Sequence, residues 1–335
     1  MIDYRTSENR SLYFDALYDM SLRHGAMPGM VYLYMPGLKH ALNWDEETCL
    51  WVAYLNGLTQ NPLTTLRLFE QLPEMPRGEP ELIKFSAWFD ANWSSLSFDT
   101  DRRYQKKDTV AAISSYCRAA DDYQRSQAAM LDNHRSWSDL WDFVSTRFKS
   151  FGRLATFSYL EYLQIFGHGK ACTSLMFDDK SGSKSHRNGM LFLMSMDDQV
   201  HDKRANNGFD GEYSNFGKMC DWLEKQADNK LAHFYIEHPD LKHVGKETFE
   251  SNCCQYKNSF FGRRYPGVYA DMAYERLTWY HTHVGKDRNL KLILEIREQL
   301  PDWLRMEVKN DGLTIKEKAA IFPRSGVPYR ADHIL

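Results

Sequence analysis

Between Asn43 and Leu58, apolar side chains return every three or four residues: Leu50, Trp51, Tyr54, Leu55 and Leu58. A period of 3.6 residues gathers them on one face and predicts a helix. Asn43 stands where a cap belongs, and Asp45, Glu46 and Glu47 fill the first turn, where the helix dipole favours anions. Pro62 opens a second helix carrying Leu63, Leu66, Leu68 and Phe69, and Pro73 and Pro76 close it. The same spacing predicts helices near 9–23, 81–90, 109–130, 136–149, 153–165, 190–196, 214–228, 247–257, 267–282 and 288–299. After residue 23 the run of Gly25, Pro28, Gly29, Pro36 and Gly37 predicts irregular chain. Strand signals are few and short, Ala232–Ile236 and Val308–Ile315 being the best. The predicted fold is therefore mainly α. No repeat or long linker interrupts it, so residues 1–335 read as a single helical unit. A division into two lobes, near 1–135 and 136–300, is the alternative, with an irregular tail over 301–335.

Composition removes several classes. Apolar residues make up 43% of the 335, enough to bury a large core. A net charge of −3 argues against a histone-like or coat-type nucleic-acid binder. It does not exclude a DNA enzyme, because a local basic face suffices to hold phosphates. Aromatic residues reach 14%; most belong in the core, and some can stack on bases. No two of the six cysteines form a CxxC pair and no HExxH is present, so a zinc ribbon or zinc protease site is not expected. The opening MIDYRTSENR is polar, without the apolar core of a signal peptide. No stretch approaches the roughly 18 apolar residues of a membrane span. The expected compartment is a reducing cytoplasm.

The segment LWDFVSTRFKSFGRLATFSYLEYL (140–163) brings two amphipathic stretches together at Ser150, Phe151 and Gly152. Gly152 would permit the sharp turn. Amides at the start of the second helix could then hold a phosphate, flanked by Lys149 and Arg153. The segment resembles the helix–hairpin–helix element of base-excision DNA glycosylases, with one glycine where those hairpins usually carry two. In such enzymes a catalytic aspartate follows one helix and a loop later; here that spacing reaches Phe177, Asp178 and Asp179.

Two polar segments concentrate chemistry. Asp178–Gly189 (DDKSGSKSHRNG) is predicted to be a loop bounded by apolar flanks, with Lys184, Ser185, His186, Arg187 and Asn188 as phosphate ligands. It lacks the GxxxxGK[ST] pattern of a P-loop. In 249–277 (FESNCCQYKNSFFGRRYPGVYADMAYERL), Arg263, Arg264 and Tyr265 occupy a turn bounded by Gly262, Pro266 and Gly267, followed by Tyr269, Asp271 and Arg276. Adjacent arginines there would meet anions or a structural carboxylate. Residues 200–213 read as a flexible polar loop.

Four pieces together resemble the alpha-glutamyl/putrescinyl thymine pyrophosphorylase family, the phage amino acid:DNA transferases. They are WDEETCLWVAYLNGLTQNPLTTLRLFEQLP (44–73), FGRLATFSYLEYL (151–163), SKSHRNGM (183–190) and ETFESNCCQYKNSFFGRRYPGVYADMAYERL (247–277). The last is the most specific, in its ES…C…RRYPGVY…D order. The resemblance spans roughly residues 40–280 and implies a glycosylase-related helical fold. It implies that an amino acid or polyamine is joined to pyrophosphorylated 5-hydroxymethyluracil in double-stranded phage DNA, with release of pyrophosphate, inside the infected bacterium.

Chemistry then assigns roles. Cations stabilise the departing diphosphate, for which Lys184, Arg187, Arg263 and Arg264 are candidates. An amine attacks only when unprotonated, so a carboxylate must take its proton, and Asp178, Asp179 and Asp271 are candidates. Glu161 and Glu47 could hold the incoming ammonium group. Tyr265 and Tyr269 could stack on a base flipped out of the duplex. No resident cofactor is implied, although a magnesium ion could bridge the pyrophosphate. The amine is left open among glycine, serine, glutamate and putrescine. A DNA glycosylase or lyase, using Lys180 or Lys184 beside an aspartate, is the alternative enzyme, and a DNA-binding module without catalysis the third reading.

Overall fold

The computed structural model describes residues 3–23, 30–99, 102–179, 184–200, 216–239, 245–264, 282, 287–299 and 314–325. Its contacts divide the chain into two units. One comprises Met1–Met30, Cys172–Arg276 and Leu300–Leu335, and the other Val31–Ala171 and Leu277–Gln299. The protein is mainly α, and no strand occurs among the described residues. Among them, no helix is long and apolar enough to cross a membrane.

The second unit is built around α3 (Glu46–Thr59), whose side chains are buried on every face from Cys49 to Thr59. Such a helix can only be the centre of a bundle. Around it lie α2 (Met30–Leu42), α4 (Pro62–Gln71), α5 (Glu79–Asn92), the short α6 (Arg102–Gln105), α7 (Thr109–Asp121), α8 (Gln127–Asp132), α9 (Trp137–Arg147) and α10 (Arg153–Ile165). Tyr54 forms the middle of an aromatic stack, 3.9 Å from the Tyr116 ring and 5.3 Å from Phe151. Trp51 donates its indole N–H to the Leu72 carbonyl at 2.7 Å, which satisfies the one polar atom of a buried ring. A short polar seam runs through the core: Thr65 donates to Asn56 Oδ1 at 2.9 Å and shares a 2.6 Å hydroxyl contact with Thr59.

Several elements differ from expectation. Asp45, not Asn43, caps α3, accepting from Thr48 N at 2.8 Å. Asn43 instead leaves α2 with a positive φ of 50°. Residues 30–42 are helical despite Pro36, and Gly37 lets α14 (Arg288–Arg297) approach, since a Cβ there would sit 2.5 Å from Ile296 Cγ2. The stretch 109–130 is two helices, because Gln124 and Arg125 turn left-handed and Ser126 caps α8. Glu47 completes that cap, accepting from Gln127 N and Ala128 N at 3.1 Å. Its carboxylate is thus engaged at a helix terminus.

In the first unit, α1 (Ser7–Arg23), α11 (Ser185–Leu193), α12 (Phe216–Glu237), α13 (Lys246–Phe260) and α15 (Ile315–Ser325) share a core rich in tyrosine and phenylalanine. Ala232–Ile236, expected as a strand, completes α12, whose buried Leu223, Ala227, Leu231 and Phe234 keep helical spacing. Of the other expected strand, residues 308–313 lie outside the described residues and Ile315 begins α15. The tail, expected to be irregular, is therefore helical in its described part. The helix expected at 267–282 and the loop at 200–213 lie outside the described residues, save Thr282 and Val200. Arg10 of α1 makes a two-pronged ion pair with Asp197 at 2.7 Å and donates to the Phe192 carbonyl at 2.8 Å. This ties the N-terminal helix to the end of α11.

Candidate functional site

The helix α11 begins five residues before the apolar run that announced it. Ser185, His186, Arg187 and Asn188 form its first turn and are buried, where an open phosphate-binding loop was expected. The reason lies at Gly189. A Cβ there would fall 1.9 Å from the Cys253 carbonyl oxygen, so only glycine lets α11 meet α13 backbone to backbone. That approach carries the polar turn inward.

Once inside, the turn holds the segment that precedes it. The Arg187 guanidinium donates to the Phe177 carbonyl and, at 3.2 Å, to the Asp179 carbonyl. It also lies 5.2 Å from the centre of the Phe216 ring. The His186 ring stacks on Phe177 at 5.5 Å and 11°, with Nε2 3.3 Å from the Met176 carbonyl. Its Nδ1 lies 3.4 Å from Glu250 Oε1 on α13. The nitrogen facing a carbonyl must carry a proton. Lys257, also buried, donates to Ser185 Oγ at 3.3 Å.

The remainder of segment 172–179 is fastened by carboxylates. Cys172 N donates to Glu247 Oε1 at 2.8 Å, and Leu175 N to Glu224 at 3.0 and 3.1 Å. Lys246 joins Glu224 and Asp228 at 2.6 and 2.7 Å and reaches the Thr173 carbonyl at 3.1 Å. Burial pushes the Cys172 thiol well above its usual range, the nearby Glu247 carboxylate adding to the effect. That thiol is therefore inert packing, not a nucleophile. The outcome is a pinned segment ending in exposed Asp178 and half-buried Asp179. Clusters of buried ionisable groups are costly to stability and gather at functional sites.

The first unit thus brings Asp178, Asp179, Lys184, Ser185, His186, Arg187 and Asn188 together. Arg263, exposed, lies over Phe261 at 5.2 Å, and Arg264, half-buried, follows it. Phe261 in turn meets Phe192 at the other end of α11. Lys180, Tyr265, Tyr269, Asp271 and Arg276 lie outside the described residues. Glu161, Lys149, Gly152 and Arg153 belong to the second unit. Glu161 is 1% exposed within α10. Glu247, Glu250, Lys257 and Gly189 were not singled out from the sequence. Glu250 and Gly189 stood in the segments read, but nothing local distinguishes a buried helical glutamate from a surface one.

The turn between α9 and α10 exists where the hairpin was expected, with a different geometry. Ser150 takes the left-handed conformation (φ 68°), while Gly152 is extended and a Cβ on it would touch nothing within 4 Å. Glycine is not required there by the fold. Lys149 lies 3.7 Å from Asp108, and Arg153 is half-buried over Phe157. Among the described residues, no group of three His, Cys, Asp or Glu is placed to hold a metal ion.

A family model described as amino acid:DNA transferase matches residues 31–265. The chain belongs to the amino acid:DNA transferase family. It is similar to a serinyltransferase of Salmonella phage ViI, with 28% identity over 305 residues, covering 86% of this chain and 73% of that protein. No solved structure matches. The matched region of this amino acid:DNA transferase includes the Gly189 crossing, the His186–Glu250 pair and the pinned aspartates.

Proposed function

We propose that this transferase joins an amino acid to pyrophosphorylated 5-hydroxymethyluracil in phage DNA, in the cytoplasm of the infected host. The observation that carries the reading is the pinned segment ending at Asp178 and Asp179, whose backbone Arg187 holds through the Phe177 and Asp179 carbonyls, with Asp178 exposed and Asp179 half-buried. A free amine is protonated at neutral pH and must lose a proton before it attacks. One of these carboxylates takes that proton. The nitrogen lone pair then forms a bond to the methylene carbon, the carbon–oxygen bond to diphosphate breaks, and pyrophosphate departs with the electron pair. Lys184, Arg263 and Arg264 are the cations assigned to that leaving group, with magnesium able to ride on it. Asp271 is the other candidate base, and Arg276, Tyr265 and Tyr269 are the candidate contacts to phosphate and to a flipped base. Ser185, His186, Arg187 and Asn188 serve the pinned segment from beneath, a positioning role in place of direct phosphate contact. The turn at Lys149, Gly152 and Arg153 is assigned to the DNA backbone. Serine is the first amine to try, given the similar serinyltransferase.

The experiment is incubation with DNA carrying pyrophosphorylated hydroxymethyluracil and a panel of glycine, L-serine, L-glutamate and putrescine. Nucleoside mass spectrometry and pyrophosphate release are the readouts. An adducted base with stoichiometric pyrophosphate supports the transferase. Abasic sites would instead place the protein among glycosylases, and an unchanged nucleoside profile with tight DNA binding would make it a binding module.

A further inference from the structure

The second unit contains a cleft of about 990 Å³ between the start of α3, the end of α4 and the start of α14. Its wall is aromatic: Trp44 and Phe69 meet edge to face, ring centres 5.6 Å apart. Its rim is charged in both signs. Arg288 and Glu70 pair at 2.8 Å, with Arg288 83% exposed, and Asp45 stands at the α3 terminus. Hydrogen bonds from the Thr48 hydroxyl and amide hold the Asp45 carboxyl below the usual carboxylate range. The deciding group is Asn289. It is only 6% exposed and lines the cleft, yet its amide Nδ2 has no hydrogen-bond partner among the described residues. Its backbone N–H is separately occupied by Asp287 Oδ1 at 2.7 Å. A buried donor without a partner is costly and marks a place where a ligand acceptor belongs.

We propose that this cleft binds the free α-amino acid as its zwitterion, an inference that rests on the transferase reading above. The ligand carboxylate accepts from Asn289 Nδ2 and from Arg288. The ammonium group faces Asp45 and Glu70, and the side chain lies along Trp44 and Phe69. The ligand exchanges with an exposed surface ion pair, which is a weak one. Lining charge decides against a nucleotide: two carboxylates and one guanidinium leave the cleft net negative, repelling a phosphate and favouring an amine.

Calorimetric titration of the full chain, without DNA, tests this. The probes are glycine, L-serine, L-glutamate, putrescine and thymidine. Saturable binding of at least one amino acid is expected, with putrescine weaker because it lacks the carboxylate. Arg288→Ala, at an exposed position, and Asn289→Ala should each weaken that binding about tenfold or more, a loss of about 1.4 kcal/mol. Unchanged thermal melting of Arg288→Ala guards against misfolding. The inference is overturned if no amino acid binds, if both variants bind as the parent does, or if thymidine alone binds. Transfer assays separate the two readings. Transfer to DNA that is untouched by the cleft variants sinks the cleft and spares the activity. Amino-acid binding that the variants abolish, in a protein that never modifies DNA, does the reverse.

Discussion

Nδ1 of His186 lies 3.4 Å from Oε1 of Glu250, and both side chains are buried, at 1% and 8% exposure. The pair sits beneath the segment that carries Asp178 and Asp179, so its loss should be felt there first. Glu250→Ala leaves His186 without its carboxylate and should destabilise the fold by about 3 kcal/mol. Glu250→Gln keeps the size and offers an amide, so it should recover most of that loss. Urea unfolding of both variants measures the difference, and equal losses would mean that an amide cannot stand in for the carboxylate beside His186.

Arg187→Lys keeps the charge but loses the fork that spans two carbonyls. The expected cost is about 1–3 kcal/mol, from carbonyls and a cation left poorly paired. Hydrogen exchange should rise locally across Leu175–Asp179 while α3 keeps its protection. Uniform acceleration over the whole chain would mean that Arg187 serves global stability only.

Three glycines separate packing from function. Gly189→Ala drives a Cβ into the Cys253 carbonyl and should cost about 3 kcal/mol or more, seen as a markedly lower Tm. Gly57→Ala meets the Phe151 ring at 3.2 Å and Tyr159 Cβ at 3.5 Å, and a small shift should absorb it at about 1 kcal/mol. Gly152→Ala touches nothing and should leave Tm unchanged. If the α9–α10 turn grips DNA, Gly152→Ala will weaken DNA binding alone, and a gel-shift titration reads that out.

Stability should decline in alkali. Burial pushes the Cys117 and Cys220 thiols up to about 11, and it pushes the hydroxyls of Tyr13, Tyr18 and Tyr54 upward as well. Each group is raised in the folded state, so above about pH 9 the unfolded chain binds fewer protons than the native one. The stabilisation is complete below the unfolded values and disappears as pH climbs through 9 to 11. Melting curves at pH 7, 9 and 10.5 should show a steepening fall. A flat profile would mean that these groups titrate normally.

Asp178→Asn and Asp179→Asn test the base. Removing a general base costs about 100-fold or more in rate. One of the two should lose that much transfer activity while DNA affinity is kept. Near-normal turnover in both would move the role to Asp271.

Much of the helical order was legible because burial on one face imprints a period on the sequence. The segment 153–165 matches α10 residue for residue, and Pro62 marked the start of α4. The failures share one cause. Residues 185–188 look like an open phosphate-binding loop because every one is polar, and their burial depends on Gly189 meeting Cys253, a partner more than sixty residues away. Ala232–Ile236 looks like a strand because the helix that contains it begins sixteen residues earlier. Glu47 looks like a free carboxylate until α8 is folded against it. Cleft residue Asn289 carried no local signal at all, since the aromatic wall it joins comes from Trp44 and Phe69.

The unit built from Val31–Ala171 is closed by α14, which the ribosome makes only after the whole of Cys172–Arg276 has been threaded out. A nascent chain therefore carries an uncovered Gly37 face and an unfinished α4 until Ile296 emerges. Cutting the gene at codon 171 would not yield two autonomous proteins, because each product would lack a piece that the other encodes.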